Sequence, residues 1–249
     1  MYKFFVSKEQ IKNNEIQIIG NDVNHIKNVL RLQKGNVIQI CEKETQNNYI
    51  CNILEISKEN ITVEILDNVE EETESSIYLH ILQGIPKFEK MEMIIEKCTE
   101  IGVSEITPVF MKRTIVKLDD KTKEKKTTRW RKIAEVASKQ SKRDKIPQIN
   151  SPILMENVFS ILKNYDIVLV AYENEKKNTL KEELKEIKQK KQDNLKIAVF
   201  IGPEGGIDEK EIEFLKMQNV KAITLGKRIL RTETAPIVVS ANIFYELEK

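Results

Sequence analysis

Histidine, cysteine and tryptophan are nearly missing from this sequence, with two, three and one among 249 residues. Cys41, Cys51 and Cys98 have no ligand-like spacing, and His25 and His80 are the only histidines. The sequence therefore predicts no metal centre and no disulfide framework, and its thiols suit a reducing cytosol. Long hydrophobic runs are also lacking, and the opening MYKFFVSKEQ has no apolar signal core. No membrane association and a cytoplasmic location are the expectations. Apolar residues make up 40% and charged residues 32%, outside the disordered class. The length allows one large or two modest domains. Glycine is scarce as well: there are eight, and three fall in IGPEGG, Ile201 to Gly206.

What is present is charge, unevenly spread. The stretch 112–145 holds 14 basic and 5 acidic residues, a local +9, which leaves −7 elsewhere for a net +2. Such a stretch is either a solvated helix face or a surface that follows phosphates. Six acids and no base lie between Glu64 and Glu74, marking a boundary between two patterns. Before it, NVIQIC, NYICNILEI and NITVEIL are β-branched runs separated by polar turns, the pattern of a small barrel. DVNHIKNVLRL interrupts them as a helix with Asp22 as its N-cap.

After the boundary, strands alternate with helices. IYLHILQGI, VSEITPVF, DIVLVAY, LKIAVFIG and VKAITLG read as strands. KMEMIIEKCTEIG, TRWRKIAEVASKQS, TLKEELKEIKQKK, DEKEIEFLKMQ and TAPIVVSANIFYELEK read as helices. Gly102 is placed to end the first of these, and Asp208 and Glu211 have capping-box spacing. Alternation of this kind predicts a parallel sheet covered on both faces. His80 and Cys98 read as core, Trp130 as an anchor of its helix, and His25 as a surface residue.

Ligands of parallel sheets bind at the carboxyl ends of strands. Three loops fall there: AYE at 171–173, IGPEGG at 201–206 and LGKRILRTETA at 225–235. A glycine loop can be a plain tight turn or a phosphate cradle. Here Glu204 occupies the loop and no Lys-Ser/Thr pair follows, so an anion is disfavoured and a sulfonium cofactor is compatible.

IGPEGG followed by LGKRILRTETA resembles the RsmE-type 16S rRNA uracil-N3 methyltransferases of the SPOUT class. HIKNVLRLQKGN (25–36), KFEKMEMIIEKCTEIGVSEITP (87–108), RTIVK (113–117) and KIAEVASKQSKRDKIPQI (132–149) match that family in order and spacing. The resemblance implies an α/β protein with a PUA-like, RNA-binding β-barrel over 1–70 and a SPOUT methyltransferase domain over 74–249. A deep trefoil knot around the parallel sheet, with the cofactor site, would lie within 167–235. Also implied are S-adenosylmethionine as cofactor, a homodimer, and uridine 1498 of 16S rRNA in the 30S subunit as substrate. The cofactor contacts carried over are Ala171, Tyr172, Glu173, Ile201, Gly202, Pro203, Gly205, Gly206, Leu225, Gly226, Ile229, Leu230 and Thr234. The RNA contacts are Arg31, Lys34, Lys87, Arg113 and Arg143. The family usually shows Lys-Gly where this chain has Lys87-Phe88, so a different loop motion is expected there.

Uridine N3 is a poor nucleophile until its proton leaves. Arg231 is the candidate to stabilise the resulting imide anion. Glu233 would orient Arg231 or, directly or through water, take the proton. A structural ion pair is the other reading of Arg231. Two other functions remain open: a non-catalytic rRNA-binding assembly factor, and a knotted methyltransferase acting on tRNA or a ribose 2′-oxygen.

Overall fold

The computed structural model describes residues 1–69, 73–190 and 194–248. Glu70–Glu72 of the acidic run and Lys191 at the end of one predicted helix lie outside them. The chain divides into two compact units, one of Met1–Glu74 with Ser138–Ile146, the other of Ser75–Ala137 with Pro147–Lys249.

The first unit is a six-stranded mixed sheet. Its strands are β1 (Lys3–Val6), β2 (Ile11–Lys12), β3 (Glu15–Ile19), β4 (Val37–Glu42), β5 (Asn48–Ile56) and β6 (Asn60–Val69). They run in the order β1-β4-β5-β6-β3-β2, so β1 and β2 are edges and the described ladder is a half-barrel. Among the described residues of this sheet, only β1 and β4 pair in parallel. Period-two alternation puts Ile16, Ile18, Ile38, Ile40, Ile61 and Val63 into one buried cluster with Phe4. The helix after β3 departs from expectation. α1 (Asn21–Asn24) passes into a π-type turn, His25–Val29, and its N-cap is Gly20 at φ 73°. Asp22 does not cap it: its carboxylate accepts both 2.8 and 2.9 Å bonds from the Lys139 ammonium.

The second unit is built on seven parallel strands. These are β7 (Tyr78–Gly84), β8 (Glu105–Phe110), β9 (Gln148–Ile149), β10 (Ile153–Leu154), β11 (Ile167–Ala171), β12 (Lys196–Ile201) and β13 (Lys221–Ile223). The order is β10-β8-β7-β12-β11-β13, with β9 also on β8. The helices are α2 (Lys90–Ile101), α3 (Asp120–Gln140), α4 (Phe159–Leu162), α5 (Leu180–Gln189), α6 (Glu209–Met217) and α7 (Thr234–Leu247). Neighbouring strand residues such as Ile81 and Leu82, Leu169 and Val170, or Val199 and Phe200 are all 0% exposed. Because neighbours point to opposite faces, both faces are covered, as the unbroken apolar runs predict. Gly102 ends α2 at φ 113°, and Asp208 and Glu211 form the capping box of α6.

His80, Trp130 and Cys98 are buried, as their surroundings predict. His80 lies 2.5 Å from the Tyr165 hydroxyl and 2.7 Å from that of Thr107. Burial pushes its pKa down to about 4 against the opposing pull of Glu105, so the ring is neutral at pH 7 and its 3.6 Å approach to Glu105 is not an ion pair. Burial raises the thiols of Cys41, Cys51 and Cys98 to about 12. None is a nucleophile at neutral pH.

Candidate active site

All strands of the second sheet are parallel, so Gly84, Ala171, Ile201 and Ile223 end on one edge. The three loops read from the sequence therefore meet there. Tyr172 donates its N–H to Ile223 (3.0 Å), and Asn178 Nδ2 donates to Ala222 (3.0 Å), tying the 171–179 turn to β13. The last loop reaches further inward. Thr232 Oγ1 donates to the Gly202 carbonyl at 2.7 Å and accepts from Gln83 Nε2 at 3.0 Å. These two buried side chains join the ends of β7 and β12 to the segment that opens α7. The Oε1 atom of Gln83 is buried without a hydrogen-bond partner among the described residues.

Close approach explains four of the five glycines at this edge. A Cβ on Gly84 would sit 2.5 Å from Pro203 Cδ and 2.6 Å from its nitrogen. At Gly202 it would meet Ile207 at 2.9 Å, and at Gly206 (φ 71°) it would run into the Glu173 carboxylate. At Gly205 it would press on Arg113 Cβ at 3.1 Å, so the missing side chain there makes room for protein. Gly226 is different: its φ is 124° and nothing lies within 4 Å of a Cβ. That position needs glycine for its backbone conformation and leaves open space beside it.

Charges along this edge are ordered around Lys90, which the sequence reading did not single out. Its ammonium lies 3.1 Å from Glu204 and 3.1 Å from Glu233. Bonds to Glu204 and then to Glu233 hold Lys90 above its ordinary pKa. Glu204 also accepts the Lys87 N–H at 3.0 and 3.2 Å. Burial raises Glu204, but backbone N–H groups and Lys90 outweigh burial and keep it below the usual carboxylate range. Arg231 stands 83% exposed with its nearest carboxylate, Glu233, at 4.0 Å. Lys227, Arg228 and Ile229 beside it are exposed as well. Leu225, Leu230 and Thr234 are half-buried.

The RNA candidates separate into three kinds. Arg31 and Lys34 are exposed on the first unit. Lys87 and Arg113 belong to the loop edge of the second. Arg113 donates to the Gly205 carbonyl at 3.0 Å and lies 3.8 Å from Asp208. Arg143 is a correction. It is 4% exposed and forks onto Glu74 at 2.6 and 3.2 Å, so it holds the first unit together and offers no charge to a ligand. The basic stretch is likewise partly self-neutralised: Arg129 pairs with Glu92 (2.8 Å) and Lys123 with Asp120 (2.9 Å). Lys87 is followed by Phe88 at φ 56°, a backbone conformation suited to glycine. Gln83 and Thr232 were missed because nothing local marks them; Thr232 carries the signal only as part of RTETA. Among the described residues, no cluster of three His, Cys, Asp or Glu side chains is arranged to hold a metal ion, and no helix is long and apolar enough to cross a membrane.

Comparison with known proteins gives this edge a context. A family model described as an RNA methyltransferase domain matches residues 73–243, and one for an RNA methyltransferase PUA domain matches 18–66. Ribosomal RNA small subunit methyltransferase E of Bacillus subtilis (strain 168) is 34% identical over 251 residues, covering 100% of this chain and 98% of that protein. Its namesake from Mesomycoplasma hyopneumoniae (strain 232) is 34% identical over 95% of this chain and 96% of its own. Among solved structures, ribosomal RNA small subunit methyltransferase E from Neisseria gonorrhoeae, bound to S-adenosylmethionine, superposes with a TM-score of 0.87 at 27% identity, covering 100% of this chain and 98% of that one. A Legionella pneumophila methyltransferase in complex with the same cofactor gives 0.88 at 26% identity, with coverage of 100% and 98%. With both units matched and relatives similar over their whole length, the chain belongs to the family of ribosomal RNA small subunit methyltransferases E.

Proposed function

We propose that this protein methylates N3 of a uridine, the one numbered 1498, in 16S rRNA of the small ribosomal subunit, using S-adenosylmethionine. The observation that carries the reading is the edge where Gly202, Gly206 and Gly226 meet Arg231 and the Lys90-centred carboxylates. That edge fits the cofactor in two respects. Gly226 borders open space, and the Glu173 carboxylate against Gly206 is compatible with a sulfonium cation where it would repel a phosphate. The 171–173, 201–206 and 225–234 loops would hold it. When bound, it supplies a methyl group on a positively charged sulfur.

The chain's own task is to orient uridine and to help its N3 proton leave. Arg231, exposed and only loosely engaged by Glu233, is free to meet the uracil oxygens and stabilise the imide anion. Glu233 stays anchored by Lys90 and orients that arginine. Arg31 and Lys34 of the first unit and Lys87 of the second supply cationic contacts that position RNA without reading its sequence.

The finer architecture belongs to the same reading. A PUA-like domain at 1–70 precedes a SPOUT domain at 74–249. A trefoil knot is favoured because the chain leaves β13 at the sheet edge and returns past β11 to reach Gly202 and Gln83. A homodimer is favoured by α7, where Ile237, Val238 and Leu247 remain half-buried and Tyr245 is 88% exposed. Assembled 30S particles in the cytoplasm are the proposed substrate. The test is nucleoside mass spectrometry of small-subunit rRNA from cells lacking the gene. Loss of N3-methyluridine supports the reading; an intact base and a lost ribose 2′-O-methyl group would overturn it.

A further inference from the structure

Phe88 is 85% exposed, on a backbone with φ 56°. Either feature alone is unfavourable for a large apolar residue, since the ring gains no burial and the left-handed conformation is strained. Yet the segment is held firmly. The Lys87 N–H before it donates to both oxygens of Glu204, and the Lys90 ammonium after it bridges Glu204 and Glu233. The ring therefore projects from between two ties to the catalytic edge, immediately before α2.

Its surroundings indicate what it meets. Lys87 adjoins it in sequence, and Lys227, Arg228 and Arg231 are exposed on the same edge. Of the acids nearby, Glu204 and Glu233 share Lys90, and Glu89 is the one left exposed, 3.9 Å from an Arg129 that pairs more closely with Glu92, so exposed cations outnumber exposed acids. An apolar ring among cations is a poor anchor for an apolar protein surface. It is a good platform for a nucleobase, whose π-face stacks on the ring while its phosphates meet the cations. We infer that Phe88 stacks on an unpaired base of the RNA, next to the nucleotide to be methylated, and helps hold that nucleotide out of its helix. This rests on the proposed RNA substrate. It makes Phe88 a positioning residue.

The experiment uses full-length protein and two substitutions. Phe88→Gly removes the ring and relaxes the backbone. RNA affinity, measured with a small-subunit rRNA transcript, should fall between about fivefold and a hundredfold. Melting temperature should hold or rise, because glycine suits that backbone, and S-adenosylmethionine affinity should stay unchanged. Phe88→Trp should keep RNA affinity and add an exposed indole beside the single buried Trp130. Its emission should be quenched by the transcript and unaffected by S-adenosylmethionine. A Phe88→Gly protein with wild-type RNA affinity, or an indole that the transcript leaves unchanged, overturns the inference. So does an indole that responds to the cofactor alone. Wild-type protein that binds RNA through Phe88 but makes no N3-methyluridine would sustain the stacking role and reject the proposed reaction.

Discussion

Two charged regions of this molecule contain the same residue types and use them in opposite ways. In the first unit, Arg143 forks onto Glu74, and Asp144 accepts from Lys3, from Asn48 at 2.7 Å and from Thr73 at 2.6 Å. Burial raises the Asp144 carboxyl, but these donors outweigh it and hold it below its ordinary value. Every partner there belongs to the chain. Along the edge of the parallel sheet, Lys90 is shared by two carboxylates, while Arg231, Arg228 and Lys227 face solvent. A cation satisfied within the protein builds the fold; one left facing outward beside an open glycine is available to a ligand.

The largest expected effect breaks the first region. Arg143→Ala takes the guanidinium from the half-buried Glu74, which keeps only the backbone N–H groups of Asp144 and Lys145, and should cost about 3 kcal/mol of stability by urea denaturation. A loss under about 0.5 kcal/mol would place Arg143 among ordinary surface residues.

Buried His80 gives the next effect, through pH. Its pKa falls from 6.5 to about 4 on folding, so between these values the unfolded chain binds a proton that the folded chain does not. Stability must therefore drop as pH falls through that window, by on the order of 3 kcal/mol from this residue. His80→Gln should make the slope of stability against pH shallower by about one proton. An unchanged slope would mean that the ring titrates normally.

A smaller loss is expected at the glycine edge. Gly84→Ala drives a methyl group against the Pro203 backbone and should cost about 1–3 kcal/mol, with weaker cofactor binding by calorimetry. Wild-type affinity would show that the loop can move aside. Smallest of all, Arg31→Ala or Lys34→Ala should weaken RNA binding by less than about tenfold and lower the salt slope by about 1, leaving stability within about 0.5 kcal/mol. A change in cofactor affinity would contradict a purely positioning role.

Much of this was legible beforehand because it is local. Period-two runs mark β4 to β6, unbroken apolar runs mark β7, β11 and β12, and Asp208 with Glu211 marks the start of α6. Loops at the carboxyl ends of parallel strands located the edge. What was hidden depends on residues distant in sequence. Nothing around Arg143 announces that its partner, Glu74, lies 69 residues earlier, inside an acidic run that reads as a boundary. Asp22 looks like a cap until Lys139 is seen to hold it. Nothing around Gly205 announces that Arg113, 92 residues earlier, lies 3.1 Å from where its Cβ would be. Lys90 is one lysine among many until it joins two carboxylates that are far apart in the chain.

The central claim is that Arg231 faces the reacting base, and one measurement addresses it most directly. In single-turnover methyl transfer with saturating S-adenosylmethionine and 30S particles, Arg231→Ala should be slower by about a hundredfold. Its melting temperature should match the wild type, since the side chain is 83% exposed. A wild-type rate, or a lowered rate accompanied by an equally lowered melting temperature, would contradict the account and return Arg231 to a structural ion pair.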